Sequence, residues 1–256
     1  MAKSNNTSLP PWLLFVISAI LLSAGWLMKP FPIFIFFGFA PLFAIADQAK
    51  EGDDFWVHIE FILLALVVSF FAAHSFNVSF LVSTIVQAIV FALAFLGYAF
   101  SYQSLGSRLG KFTIIFFWLG LEYILLKLSW REQTVFLVDA IQLRPEWMKW
   151  NSYTGYLGSS LWILCTNLLL YVAVFKGKLN WYLLALTFIC LTGPIIYSLI
   201  LKTEGITRLQ MISLYSNVKV ESVNYSKRGE LITRTATWIS VLILLLALVK
   251  SQTKKK

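Results

Sequence analysis

Long apolar runs separated by short polar segments constrain this chain more than any other feature. A helix needs about 20 apolar residues to cross the roughly 30 Å hydrocarbon core of a bilayer. Eight runs fit this requirement, and they cover residues 11–28, 31–47, 56–76, 79–103, 111–129, 155–175, 180–201 and 232–250. The sequence therefore predicts an all-α, polytopic integral membrane protein with about eight transmembrane helices, forming a single membrane domain over residues 1–256.

The overall composition favours the same class. Hydrophobic residues make up 59% of the chain and charged residues only 13%, whereas a soluble domain carries about 25% charged residues. A net charge of +9 is also found in proteins that bind nucleic acid, but here the basic residues lie in loops and tails between the apolar runs. We therefore expect contacts with membrane lipids, whose anionic head groups attract such residues, and no nucleic-acid partner.

Two of the predicted spans contain proline. Span two, residues 31–47, is short and carries Pro41, so both a full crossing and a kinked, shallow helix remain open. Pro194 is expected to bend span seven, and a neighbouring helix can then satisfy the carbonyl group that proline leaves free.

The distribution of basic residues predicts the orientation. Short cytoplasmic loops carry an excess of Lys and Arg. Placing the N-terminus inside assigns to the inner side Lys3, Lys50, Arg108, Lys111, Lys176, Lys178, Lys250, Lys254, Lys255 and Lys256. We therefore expect a multi-pass membrane protein with both termini in the cytoplasm. The outward loops are then residues 130–154 and 202–231, and alternating polar and apolar residues at 207–214 give a weak strand signal.

Glu122 is the most distinctive single residue. It lies within span five, and an ionisable group inside a span is a functional-site hypothesis by default because its burial is costly. Trp118 precedes it by four residues and so shares its helix face. In the alternative interpretation, Glu122 only hydrogen-bonds a neighbouring helix and holds the bundle together. Gln87, Gln103 and Asn167 are expected chiefly to form such interhelical hydrogen bonds.

An aromatic segment leads into span six. Trp147, Trp150, Tyr153 and Tyr156 precede or enter the apolar run, as in the aromatic belts at membrane interfaces. One interpretation is an ordinary belt, and the other is a surface where an acyl chain or lipid head group enters. The candidate lipid or ligand surface therefore comprises Glu122, Trp118, Trp147, Trp150, Tyr153 and Tyr156.

Catalytic and metal-binding patterns are missing from the sequence. Cys165 and Cys190 both lie in apolar runs, where cysteine usually behaves as a small hydrophobic residue. His58 and His74 are far apart in sequence and belong to no Cys/His cluster. The sequence therefore predicts no catalytic residue, no metal and no cofactor.

Four stretches, in order, carry a resemblance to a known family. They are Lys29-Pro30-Phe31-Pro32 before residues 37–42, the Trp118 and Glu122 helix at 118–127, the loop and span at 145–170 with Tyr153-Thr154-Gly155-x-x-Gly158, and the helix entry at 229–235. With these the chain resembles the membrane part of apolipoprotein N-acyltransferase, the enzyme that adds the third acyl chain to bacterial lipoproteins. The resemblance covers nearly the whole chain and implies an eight-helix scaffold.

The chain departs from that family between spans seven and eight. The family inserts there a nitrilase-like domain with a Glu–Lys–Cys triad, whereas residues 202–231 contain no Cys. The resemblance therefore implies a non-catalytic relative with a role in lipoprotein or phospholipid handling. One alternative is lipoprotein N-acylation with a separate nitrilase-like subunit that supplies the catalytic residues. Another is a transporter or lipid-moving protein.

Overall fold

A computed structural model describes residues 9–28, 32–49, 54–105, 107–128, 133–142, 144–202, 205 and 228–253. Within these residues the fold is helical and contains no strand. The helices are α1 Pro11–Leu27, α2 Ile35–Gln48, α3 Phe55–Ala73, α4 Leu81–Leu105, α5 Ser107–Lys127, α6 Asn151–Thr154, α7 Gly158–Val174, α8 Trp181–Ile200 and α9 Arg228–Thr253. The strand predicted at 207–214 and most of the segment 202–231 lie outside the described residues.

Four helices are long and apolar enough to cross a membrane: Phe55–Ala73, Val78–Ser104, Trp181–Ile200 and Ile232–Thr253. Shorter apolar helices cover Pro11–Leu27, Pro32–Gln48 and Gly158–Val174. Helix α8 also exposes large apolar side chains along its length, and Tyr182 near its start is 90% exposed. Exposed apolar surface of this extent marks contact with a membrane or a partner. The structure therefore supports the helical membrane class.

The first three helices pack together, with α1 against both α2 and α3. Gly38 lies against Leu22 so closely that a Cβ atom there would come within 2.6 Å of the leucine side chain. The Ser18 hydroxyl donates to the Gly38 carbonyl at 2.6 Å, and the Trp26 indole donates to the Ser69 hydroxyl at 3.0 Å. Small residues and interhelical hydrogen bonds of this kind hold helices together where apolar solvent removes the hydrophobic driving force.

The last helix returns to the middle of the chain. Helix α9 packs against α5 and α4. A Cβ atom at Gly120 would lie 3.3 Å from both the Thr237 Cα atom and the Ser240 hydroxyl. Glycine at this position therefore allows α5 and α9 to approach closely.

Both proline-containing helices are supported by side chains of α7. Pro194 leaves the Cys190 carbonyl without its usual donor, and the Trp162 indole donates to this carbonyl at 2.7 Å. The expected rescue by a neighbouring helix is thus confirmed. In α2, the Asn167 side chain accepts from the backbone N–H groups of Phe39 (2.8 Å) and Ala40 (3.1 Å), just before Pro41.

Candidate functional site

The candidate site is centred on Glu122 in α5. Glu122 and Trp118 are both fully buried. The indole of Trp118 donates to the Glu122 Oε1 atom at 3.2 Å, because residues four apart lie on one helix face. The sequence thus predicts this pair correctly.

A second donor reaches the same oxygen from outside the helix. The backbone N–H of Leu137 donates to Glu122 Oε1 at 3.1 Å. The other oxygen, Oε2, is buried, and it accepts no hydrogen bond from the residues that the structure describes. The Ser160 hydroxyl on α7 is near enough to interact with the carboxyl group, but it does not meet the geometry of a hydrogen bond. Glu122 therefore uses one oxygen for two donors and leaves the other without a donor.

Leu137 belongs to a buried stretch of chain outside the α-helices, residues 134–141, which we name the inserted segment. All of its side chains are buried except that of Asp139, which is partly buried. It ends in a 3₁₀-helix at Leu137–Ile141 that packs against α7. Irregular backbone is tolerated within a membrane protein only where protein or water satisfies its polar groups. Hydrogen bonds from the surrounding helices must therefore hold this segment.

Two further groups supply those hydrogen bonds. The Gln87 amide on α4 donates to the Val135 carbonyl at 2.5 Å and accepts from the Val135 N–H at 3.1 Å. Within the segment, Asp139 accepts from the Phe136 N–H at 2.8 Å and from the Tyr156 hydroxyl. Gln87 was expected to tie two helices, whereas its hydrogen bonds join α4 to the non-helical start of the inserted segment.

The surroundings of Glu122 on the side of Trp118 are aromatic. The Trp118 ring stacks on Phe91 with 4.2 Å between centroids, and Phe39 meets it edge-on at 5.0 Å. Such contacts fix the orientation of the indole. Since all three side chains are buried, they shield the carboxyl group from water on this side.

A partly open cavity of about 230 Å³ lies beside the inserted segment. Its walls come from Leu125 near the end of α5, from Gln133 and Thr134, and from one side of the start of α4 with the turn before it, namely Ser79, Phe80, Val82, Ser83, Val86, Gln87 and Val90. Pockets that enclose drug-sized ligands typically measure about 300–1,000 Å³, so this cavity has room for part of a lipid. Gln87 lines the cavity and also forms hydrogen bonds to the inserted segment, so this one residue connects the two features.

The six predicted surface residues do not form one surface in this structure. Trp118, Glu122 and Tyr156 are buried around the inserted segment. Trp150 is partly buried and meets Trp162 edge-on, with 6.0 Å between centroids. Trp147 is also partly buried, and only Tyr153 is exposed, by 52%. Their role in binding a lipid or ligand stays a prediction.

Asn167 and Gln103 were expected to behave alike, yet the structure separates them. Asn167 is fully buried, and its side chain bonds the backbone of α2 at three groups, including the Ile35 carbonyl at 3.0 Å. Gln103 is exposed. Asn167 therefore ties α7 to α2.

Sequence reasoning missed two acidic residues. Asp139 lies in the inserted segment, and Asp47 at the end of α2 accepts from the Tyr171 hydroxyl at 2.6 Å. The one sequence signal for Asp139 is its spacing of three residues from Phe136, which suits an N-terminal cap. For Asp47 the partner is 124 residues away, and no local pattern indicates it.

No group of three His, Cys, Asp or Glu side chains suited to a metal ion occurs in the described residues. No protein-family model, curated protein or solved structure matches this chain. The resemblance to apolipoprotein N-acyltransferase therefore stays a prediction from the sequence.

Proposed function

We propose that this chain is an eight-span protein of a bacterial inner membrane that handles phospholipids or lipoproteins without catalysing acyl transfer itself. Both termini lie in the cytoplasm in this proposal. The resemblance of the sequence to the membrane part of apolipoprotein N-acyltransferase supports the eight spans. The distribution of Lys and Arg supports the orientation.

The observation that carries the proposal is the cavity between α4 and the start of the inserted segment. In the predicted orientation it lies at the outer end of α4, beside the turn that joins α3 to α4. Valine side chains line it on α4, and Val82 is 75% exposed. An apolar wall that is continuous with an exposed apolar helix face suits a lipid acyl chain. Gln133, Thr134 and Ser79 supply polar groups at the rim for a head group.

A photo-crosslinking experiment tests this function. The protein is reconstituted into vesicles of phosphatidylethanolamine and phosphatidylglycerol, with a diazirine on the acyl chain of a fraction of the phosphatidylethanolamine. We expect crosslinks at the lining residues Val82, Val86 and Val90 and near Leu125. The variant Val86→Trp fills the cavity and should lower this yield several-fold. The control Ile89→Trp lies on the exposed face of α4 outside the cavity and should not lower it.

Crosslinks spread evenly over all exposed apolar faces, with no effect of Val86→Trp, would contradict the proposal. The absence of catalysis is tested separately, by mass spectrometry of lipoprotein N-terminal peptides from cells that lack this protein. We expect the third acyl chain to be present. Its loss would favour the alternative in which a separate chain supplies the catalytic residues.

A further inference from the structure

The hydrogen bonds at Glu122 have the pattern of a neutral carboxylic acid. A carboxylate has two equivalent acceptor oxygens, whereas the protonated acid has one carbonyl oxygen and one hydroxyl donor. Trp118 and Leu137 both donate to Oε1, and none of the described residues donates to Oε2. Oε1 thus behaves as the carbonyl oxygen. Oε2 is in the position of a hydroxyl, and the Ser160 oxygen lies nearby with no hydrogen bond of its own.

The charges around Glu122 favour the neutral form as well. In the part of the chain that the structure describes, no cation forms an ion pair with Glu122. Lys127 lies over the Tyr123 ring, 5.0 Å from its centroid, and Arg234 on α9 is exposed. The charged group that does face Glu122 is Asp139 on the inserted segment, and its charge repels a second anion.

Asp139 and Glu122 differ in their donors. The Phe136 N–H and the Tyr156 hydroxyl donate to different oxygens of Asp139, which is the arrangement that stabilises a carboxylate. Glu122 is fully buried, and an isolated buried carboxylate is strongly disfavoured compared with the protonated acid. These surroundings favour a charged Asp139 and a neutral Glu122. Two neighbouring acids whose surroundings separate their protonation states in this way are typical of sites that bind protons.

We propose that Glu122 is a proton-binding site that couples protonation to the position of the inserted segment. With the segment in place, Oε2 carries the proton, with the Ser160 hydroxyl near it. When the proton leaves to water, the carboxylate favours hydration, and the segment separates from α5 at Leu137. Because Gln133, directly before this segment, and Thr134, its first residue, line the cavity, proton release opens the cavity wall.

The sign of the pH dependence follows from linkage. The state with the segment in place binds one more proton than the state in which Glu122 is hydrated. Raising the pH therefore favours the open state, in which the segment has separated from α5, over the closed state, in which it is in place. In the pH range where Glu122 is ionised in the open state and still protonated in the closed state, the ratio of open to closed protein rises about tenfold per pH unit. Glu122→Gln retains one acceptor oxygen and one donor but cannot titrate, so it should remain closed at every pH.

Infrared spectroscopy of the protein in phosphatidylethanolamine and phosphatidylglycerol vesicles tests the protonation state. The spectrum of the unmodified chain minus that of Glu122→Gln should contain the C=O band of a protonated carboxyl group at neutral pH. Carboxylate bands in that difference spectrum would overturn the proposal. Circular dichroism confirms that the variant retains its helices, and the loss of the protonated band from the unmodified chain on raising the pH provides a second readout.

Hydrogen exchange of the same samples tests the coupling. In the unmodified chain, the protection of the Val135 and Leu137 amides should fall with rising pH relative to amides of α2. In Glu122→Gln this ratio should stay constant. The same fall in both proteins, or in neither, would show that Glu122 does not control the segment. Neither outcome depends on lipid binding, so the proposed lipid function can fail while this inference holds.

Discussion

The region around Glu122 and helix α8 differ in what their side chains contact. Around Glu122, buried polar groups from α4, α5 and the inserted segment pair with one another at defined distances. Helix α8 contacts chiefly α7 and the 3₁₀ turn Pro145–Trp147, and it exposes most of its apolar residues. Substitutions should therefore have large effects in the first region because unpaired groups are expensive. On the outer face of α8 they should have small effects.

The largest effect is expected for Glu122→Ala. This change leaves the Trp118 indole and the Leu137 N–H without an acceptor. Each buried donor without a partner costs about 1–3 kcal/mol, so unfolding in detergent should become easier by roughly 2–6 kcal/mol. Denaturant unfolding followed by circular dichroism measures this. Glu60→Ala, at an exposed acid of α3, is the control, and an equal loss in both variants would contradict the account.

Asn167→Leu should have the next largest effect. Leucine has the same branched arrangement of side-chain heavy atoms but cannot bond the backbone of α2 next to Pro41, and we expect a loss of roughly 1–3 kcal/mol. The same unfolding measurement applies. Gln103→Leu, at an exposed position of α4, should change stability little. If Asn167→Leu were as stable as the unmodified chain, its three hydrogen bonds would not support α2.

Trp162→Phe tests the support of the proline-containing helix α8. The change removes the donor to the Cys190 carbonyl while it keeps an aromatic ring in place. An interhelical hydrogen bond in a membrane protein contributes about 0.6–1.7 kcal/mol, so a loss of that order is expected in thermal or denaturant unfolding. Trp181→Phe, at an exposed position of the same helix, serves as the control. Equal stability of the two variants would mean that Pro194 needs no such partner.

The smallest effect is expected for Ile189→Ala on the outer face of α8. Ile189 is exposed, and a surface substitution usually changes stability by less than about 0.5 kcal/mol. Leu191→Ala, two residues away and buried, should cost several times more in the same assay. The comparison between α8 and the Glu122 region would fail if Ile189→Ala matched Glu122→Ala.

The sequence predicted the helices closely because local features mark their ends. The run predicted at 180–201 corresponds to Trp181–Ile200, and the run at 11–28 to Pro11–Leu27. Asn180 caps α8 through its side chain, and Pro11 stands at the first position of α1. Such signals lie within a few residues of the element that they define, so a single sequence contains them.

The inserted segment could not be predicted in the same way. Its short mixed sequence was expected to lie in an outward loop at 130–154, and nothing local distinguishes it from one. Its burial depends on Gln87, which is 48 residues from Val135, and on Glu122, which is 15 residues from Leu137. The Trp118–Glu122 pair was predictable from its spacing of four, but the donor from Leu137 was not. The geometry of the site therefore depends on contacts between residues that are far apart in the sequence.

Exchange at two backbone amides tests most directly whether the inserted segment is held inside the bundle. The amides of Val135 and Leu137 donate to Gln87 and Glu122. In the reconstituted protein at neutral pH they should exchange about as slowly as amides in the middle of α5. Exchange as fast as at Leu179, in the exposed turn between α7 and α8, would contradict the account.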